Sequence, residues 1–192
     1  MLIPRKRAAV AILPVPTSVL EVRGFLGLCS YYRRFVARFA EIASPMYALT
    51  KKNRPFRWTS DCQQSIESLK SSLTSAPILC TPSDDRCFIL DRDASDGAIG
   101  AVLLQDVDGQ ERVVAYASRR LSKAELNYCV TRKELLAVVY FANYFRHFLL
   151  REEFTVSTDH AALQWLKKMP QPIGQQARWL EILAEFTFHI VM

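Results

Sequence analysis

At 192 residues and 50% hydrophobic, the chain carries enough apolar surface for one medium domain, or for a domain with a substantial extension, which excludes an intrinsically disordered protein. Its net charge of +6 is unevenly shared: residues 1–60 hold 11 Lys or Arg against only Glu21 and Glu41, a balance of +9, and the remainder holds 14 basic against 17 acidic residues, a balance of −3. Five scattered cysteines, Cys29, Cys62, Cys80, Cys87 and Cys129, form no CxxC pair and meet no histidine at zinc-finger spacing, which argues against metal-finger and disulfide frameworks and for reduced thiols in an intracellular protein.

The opening MLIPRKRAAVAIL has the basic-then-apolar order of a secretion signal, but AAVAIL is too short, and Pro14 and Pro16 follow without a cleavage pattern. No stretch approaches the ~20 apolar residues of a membrane span. The expectation is a soluble intracellular chain, cytoplasmic or nuclear, with no membrane partner. Thr17 and Ser18 are good helix caps, and VLEVRGFLGLCSYYRRFVARF repeats apolar residues at helical spacing, with Val19, Val22, Phe25, Leu26 and Leu28 on one face. Gly24 and Gly27 each weaken that helix by roughly 1 kcal/mol relative to alanine, so close packing against another segment is expected at both. Pro45 opens a short helix, PMYALTKK, and Ser60 with Gln63 reads as a capping box for DCQQSIESLKSSLTS, which stops before Pro77.

From Arg86 the apolar period changes from helical to strand-like, and this is the candidate internal boundary. CFILDRDAS, IGAVLLQDV and ERVVAYASR read as three consecutive antiparallel strands, the last two joined by a tight turn at Asp108-Gly109. A long helix from about Thr131 to Leu149 follows, then a fourth strand, FTVSTD, a short helix, AALQWLKK, another helix, QARWLEILAEF, and the start of a fifth strand, TFHIVM.

Three acidic residues stand where burial or half-burial is expected: Asp93 in CFILDRDAS, Glu134 in KELLAVVYFANYF, and Asp159 at the end of FTVSTDH. If the fold gathers them, each pair about 4 Å apart repels by roughly 4 kcal/mol at an effective dielectric of 20. A divalent cation relieves that repulsion, and hard oxygen donors suit magnesium or manganese. Asp93 shares its strand face with Ile89 and Asp91, while Phe88 and Leu90 take the other. Asp159 taken alone reads rather as a helix N-cap for AALQWL, a common role for Asp at such a position. In the front region Arg23, Arg33, Arg34 and Arg38, with Lys51, Lys52, Arg54 and Arg57, form either a phosphate-gripping surface or an ordinary solvated face.

The segments DASDGAIGAVLLQ, VVAYASRRLSKAELNYCVTRKELLAVVY and FTVSTDHAALQWL closely resemble the ribonuclease H domain of reverse transcriptases from gypsy-type LTR retrotransposons. PVPTSVLEVRGFLGLCSYYRRFVARFAEIASPMYALTKK resembles the thumb and connection that precede that domain in the same polyproteins. The resemblance implies an α/β ribonuclease H-like mixed sheet over residues 81–192, preceded by a mostly helical segment over residues 1–80. It further implies Asp93, Glu134 and Asp159 as metal-binding catalytic carboxylates for two Mg²⁺ or Mn²⁺ ions, and hydrolysis of the RNA strand of an RNA–DNA hybrid. Ser95, Gly97 and Gly100 would admit the sugar-phosphate backbone, and Asn127 would meet the 2′-hydroxyl that marks RNA. Arg33, Arg34, Lys51, Lys52 and Arg54 would hold phosphates without sequence preference.

Two departures from the family accompany this. A fourth carboxylate on a closing helix would lie beyond TFHIVM, so the ribonuclease H domain is expected to be truncated at its C-terminus. The paired aspartates of a polymerase site are absent, since Ser83-Asp84-Asp85 lacks the preceding tyrosine, so no DNA polymerisation is expected. The chain therefore reads either as a ribonuclease within a retrotransposon polyprotein or as an inactive remnant that binds nucleic acid.

Overall fold

In a computed structural model of the protein, residues 10, 12–75, 79–83, 87–150, 152–158 and 174–191 are described. The helical front begins with α1 (Val19–Tyr31), whose N-cap is Ser18, its side chain accepting from the Glu21 N–H. Val22, Phe25, Leu26 and Cys29 are its buried positions, whereas Leu28, expected on that face, is 37% exposed. The apolar repeat does not continue as one helix: a 3-10 turn at Arg33–Phe35 and a left-handed Arg38 (φ 52) break it before α2 (Phe39–Ile42) and α3 (Ser44–Leu49). Pro45 occupies the first turn of α3, where its missing N–H costs nothing.

Helix α4 (Ser60–Thr74) is capped by Thr59, whose hydroxyl accepts from the Cys62 N–H. The cap lies one residue before the expected Ser60, because Thr59 is the residue in extended conformation. The close packing expected at Gly24 and Gly27 is not found among the described residues, where a Cβ at either would meet nothing within 4 Å. The front buries its own cluster, including Phe39, Met46, Ile66, Leu69 and Leu73.

The remainder is a five-stranded mixed sheet in the order β3-β2-β1-β4-β5. β1 (Phe88–Ala94), β2 (Ala98–Val107) and β3 (Gln110–Arg120) form the expected antiparallel meander. Asp108 (φ 58) and Gly109 (φ 78) make its tight turn, the backbone twist that matches paired strands. β4 (Glu153–Ser157) joins the other edge of β1 in parallel, with Asp91 opposite Ser157, and β5 (Thr187–Val191) pairs parallel to β4.

Between β3 and β4 the long helix is divided into α5 (Val130–Tyr144) and α6 (Arg146–Leu149) at Phe145. α5 is apolar on most sides, burying Leu135, Leu136, Ala137, Val138, Val139 and Phe141, and is packed on β1 and β2 and against α7 (Gln175–Leu183). The expected boundary residue Arg86 and the helix AALQWLKK lie outside the described residues. No helix among the described residues is long and apolar enough to cross a membrane.

Candidate active site

Strand alternation divides β1 into two chemistries. Phe88, Leu90 and Arg92 are buried, and Asp91 and Asp93 turn to the other face. Asp93 lies opposite Gly100 of β2, and Gly100 lies opposite Ser118 of β3, so the three share one face at one end of the meander. The helical front is packed over that end. The Ala40 N–H donates to Ser118 Oγ at 2.9 Å, the Arg33 guanidinium donates to the Ser118 carbonyl, and the Ser95 hydroxyl donates to Glu41. A narrow cleft results, lined by Arg38, Glu41, Asp93, Ser95, Gly100 and Ser118. The Arg38 guanidinium, hydrogen-bonded to Glu41 at 2.6 Å and also in the field of Asp93, is held above its ordinary pKa.

Glu134 sits in the second turn of α5 and is 6% exposed. Its carboxylate Oε2 forms an ion pair with the Arg92 guanidinium, whose side chain is wholly buried. Removing one partner of such a pair typically costs about 3–5 kcal/mol, because the other charge stays buried alone. The adjacent Lys133 Nζ donates to the Asp96 carbonyl at 3.3 Å and faces its exposed carboxylate at 3.6 Å. The reading from sequence missed both Arg92 and Lys133. The signal for Arg92 was present: an arginine at the third inward position of Phe88-Ile89-Leu90-Asp91-Arg92 needs a buried anion.

Among the described residues no three His, Cys, Asp or Glu side chains group closely enough to hold a metal ion, and Asp159 lies outside those residues. Asp93 and Glu134 both offer the hard oxygens a divalent cation takes, Asp93 on the face of β1 turned away from Arg92 and Glu134 against the Arg92 guanidinium. Asp91, beside them on β1, is pushed above the ordinary carboxylate pKa by burial.

The other predicted contacts divide by what they touch. Ser95 holds the β1–β2 turn, its hydroxyl oxygen accepting from the Ala98 N–H at 3.1 Å and its backbone N–H donating to the Ala98 carbonyl at 2.9 Å. Gly97 is open to solvent, and a Cβ at Gly100 would stand 3.9 Å from the Ala117 carbonyl, an ordinary contact. Asn127 is exposed in a 3-10 turn (Glu125–Asn127) before α5, which the Arg119–Glu125 ion pair anchors through two 2.8 Å hydrogen bonds. Arg33 is turned inward to Ser118, whereas Arg34, Lys51, Lys52 and Arg54 are exposed.

Residues 83–186, more than half of the chain, match the RNase H-like domain found in reverse transcriptase, and the chain belongs to that family. Its relatives include the retrovirus-related Pol polyprotein from transposon 297 of Drosophila melanogaster, 39% identical over 192 residues, and the transposon Tf2-3 polyprotein of Schizosaccharomyces pombe, 37% identical over 180 residues. These alignments cover 97% and 91% of this chain but only 17% and 14% of the two polyproteins. The fold is shared with the foamy viral protease-reverse transcriptase. The structure of that enzyme in complex with double-stranded DNA gives a TM-score of 0.80 at 23% identity, covering all of this chain and 42% of the other. Its structure with an RNA/DNA hybrid gives 0.78 at 24% identity, covering 99% and 27%.

Proposed function

We propose that the chain is the ribonuclease H portion of a retrotransposon reverse transcriptase and hydrolyses the RNA strand of RNA–DNA hybrids, as an endonuclease dependent on Mg²⁺ or Mn²⁺. The observation that carries this reading is the parallel pairing of β1 with β4, which sets the C-terminal ends of both strands side by side. One of those ends bears Asp93, and the other is the strand that Asp159 follows in sequence. Glu134, on the helix packed against β1, is the third acid of the proposed set.

In this reading Asp93, Glu134 and Asp159 hold two divalent ions, which when bound supply positive charge to the attacking and departing oxygens of a phosphodiester displacement. Asp93 offers an oxygen in the narrow cleft between the helical front and the end of the meander. Asn127 faces solvent before α5, in reach of a 2′-hydroxyl on a docked RNA strand. Residues 1–80 form the proposed thumb and connection segment, where Arg34, Lys51, Lys52 and Arg54 present charge to phosphates, and residues 81–192 form the ribonuclease unit. The remainder of the polyprotein is the proposed partner.

A hybrid labelled in turn on each strand tests the activity. The RNA strand should be cut and the DNA strand left intact, and equal cutting of both strands would contradict the reading. Affinity through the front should fall with roughly one power of salt for each phosphate contact made, so Lys51→Ala and Lys52→Ala should each lower the salt slope by about one without altering strand choice. A second reading, a non-catalytic chain that only binds nucleic acid, is favoured by one observation, the engagement of Glu134 by Arg92.

A further inference from the structure

We propose that Arg92 competes with the divalent metal for Glu134, so that the affinity of this chain for metal is set by release of an internal ion pair; this rests on the reading of Glu134 as a metal-binding carboxylate. Arg92 follows Phe88 and Leu90 at the inward positions of β1, and opposite it on β2 stands Ala101, small enough to leave room for a long side chain. The Arg92 side chain is 0% exposed and that of Glu134 is 8% exposed, so the contact is shielded from water and salt. A carboxylate buried to this degree requires a positive partner, and guanidinium supplies a permanent one, because it does not lose its proton at any ordinary pH.

Lys133, the preceding residue on α5, is committed instead to Asp96 in the β1–β2 turn. A divalent ion approaching Glu134 meets the fixed positive charge of Arg92 and must take the carboxylate from it. Arg92 acts here as a positioning residue: it holds Glu134 in a metal-free arrangement and yields it only at high metal concentration. On the Asp93 face the positive neighbour Arg38 is exposed and tied to Glu41.

The test is Mn²⁺ binding by the whole chain, followed through the electron paramagnetic resonance of the free ion, with no nucleic acid present. Arg92→Gln should bind Mn²⁺ roughly tenfold or more tightly than the parent, the tenfold corresponding to about 1.4 kcal/mol. Arg92→Lys, which keeps the charge, should remain closer to the parent. Adding Glu134→Gln to Arg92→Gln should remove the gain, which a merely structural role for Arg92 does not require. Equal affinity of Arg92→Gln and parent, or a gain that survives Glu134→Gln, would overturn the proposal.

Thermal melts in chelator and in Mn²⁺ cover the case in which Arg92→Gln folds poorly. Folding restored by Mn²⁺ supports the competition, since a ligand that binds only the native state stabilises it. A variant unfolded under both conditions overturns it, because the metal then cannot replace the guanidinium. Hybrid cleavage measured in parallel separates the two readings. Tighter Mn²⁺ binding without cleavage would retain the competition and remove the nuclease, and cleavage by a parent that already binds Mn²⁺ as tightly as Arg92→Gln would do the reverse.

Discussion

The core of the helical front, around Phe39, Met46, Ile66, Leu69 and Leu73, contains one buried polar side chain among the described residues, Ser65, whose hydroxyl donates to the Ile42 carbonyl at 2.5 Å. Within the sheet region the buried polar residues are Arg92, Gln105, Ser118, Lys133, Glu134 and Thr158. Both regions also bury aromatic and aliphatic side chains, each in its own cluster. Buried charge is costly unless paired, and Arg92, Lys133 and Glu134 concentrate it at one end of β1 and the start of α5, which supports the site proposed there. The front, by contrast, buries no charged side chain among the described residues.

The largest test of this contrast is at Glu134. Glu134→Ala should destabilise the chain by about 3–5 kcal/mol in urea unfolding, and a second substitution, Arg92→Met, should recover most of the loss. Failure of the double variant to recover would mean that the pair is not an isolated charge couple. In the front, Leu69→Ala should cost about 2–5 kcal/mol through an unfilled cavity, and no single partner substitution should rescue it. The two regions would then differ in rescue rather than in size of effect.

A smaller effect is expected at the turn before α5. The Arg119 guanidinium, hydrogen-bonded to Glu125, holds its carboxyl down to a pKa of about 2. A folded-state pKa below the unfolded value means that the stabilisation is complete above the ordinary carboxylate range and disappears as pH falls through about 2. Glu125→Gln should therefore cost roughly 2 kcal/mol at pH 7 and almost nothing near pH 2, read from urea midpoints. The smallest expected effect is chemical. Burial pushes the Cys29 thiol to about 12, so it should resist alkylation at pH 8 while the exposed Cys87 and Cys129 react.

Much of the sheet was legible in the sequence because each strand announces itself twice, by alternation and by turn chemistry. Asp108-Gly109 adopts the positive φ values that its residue types favour, and Phe88-Ile89-Leu90-Asp91-Arg92-Asp93 alternates inward and outward as its pattern requires. The front was less legible. Helical spacing extends across Tyr32–Arg38, and nothing in the apolar pattern marks the left-handed Arg38 that ends it. Helix ends were similarly loose, since Thr59 and Ser60 are both competent caps and only backbone conformation chooses between them.

The candidate site was legible residue by residue but not as an arrangement. Asp93 and Glu134 are visible as acids in apolar runs, and the packing of α5 on β1 follows from their patterns. That Arg92, rather than Asp93, would be the immediate partner of Glu134 depends on which strand face meets the helix, a tertiary fact. The inward turn of Arg33 to the Ser118 carbonyl is likewise a product of how the front seats on β3.

The account is tested most directly by the rate of hybrid cutting as Mg²⁺ is raised, measured on the folded parent, on Asp93→Asn and on Asp91→Asn. Cutting that grows with Mg²⁺, stops in Asp93→Asn and persists in Asp91→Asn is the predicted result. A parent that binds hybrid yet leaves it whole at saturating Mg²⁺, or an Asp93→Asn chain that cuts as well as the parent, would contradict it.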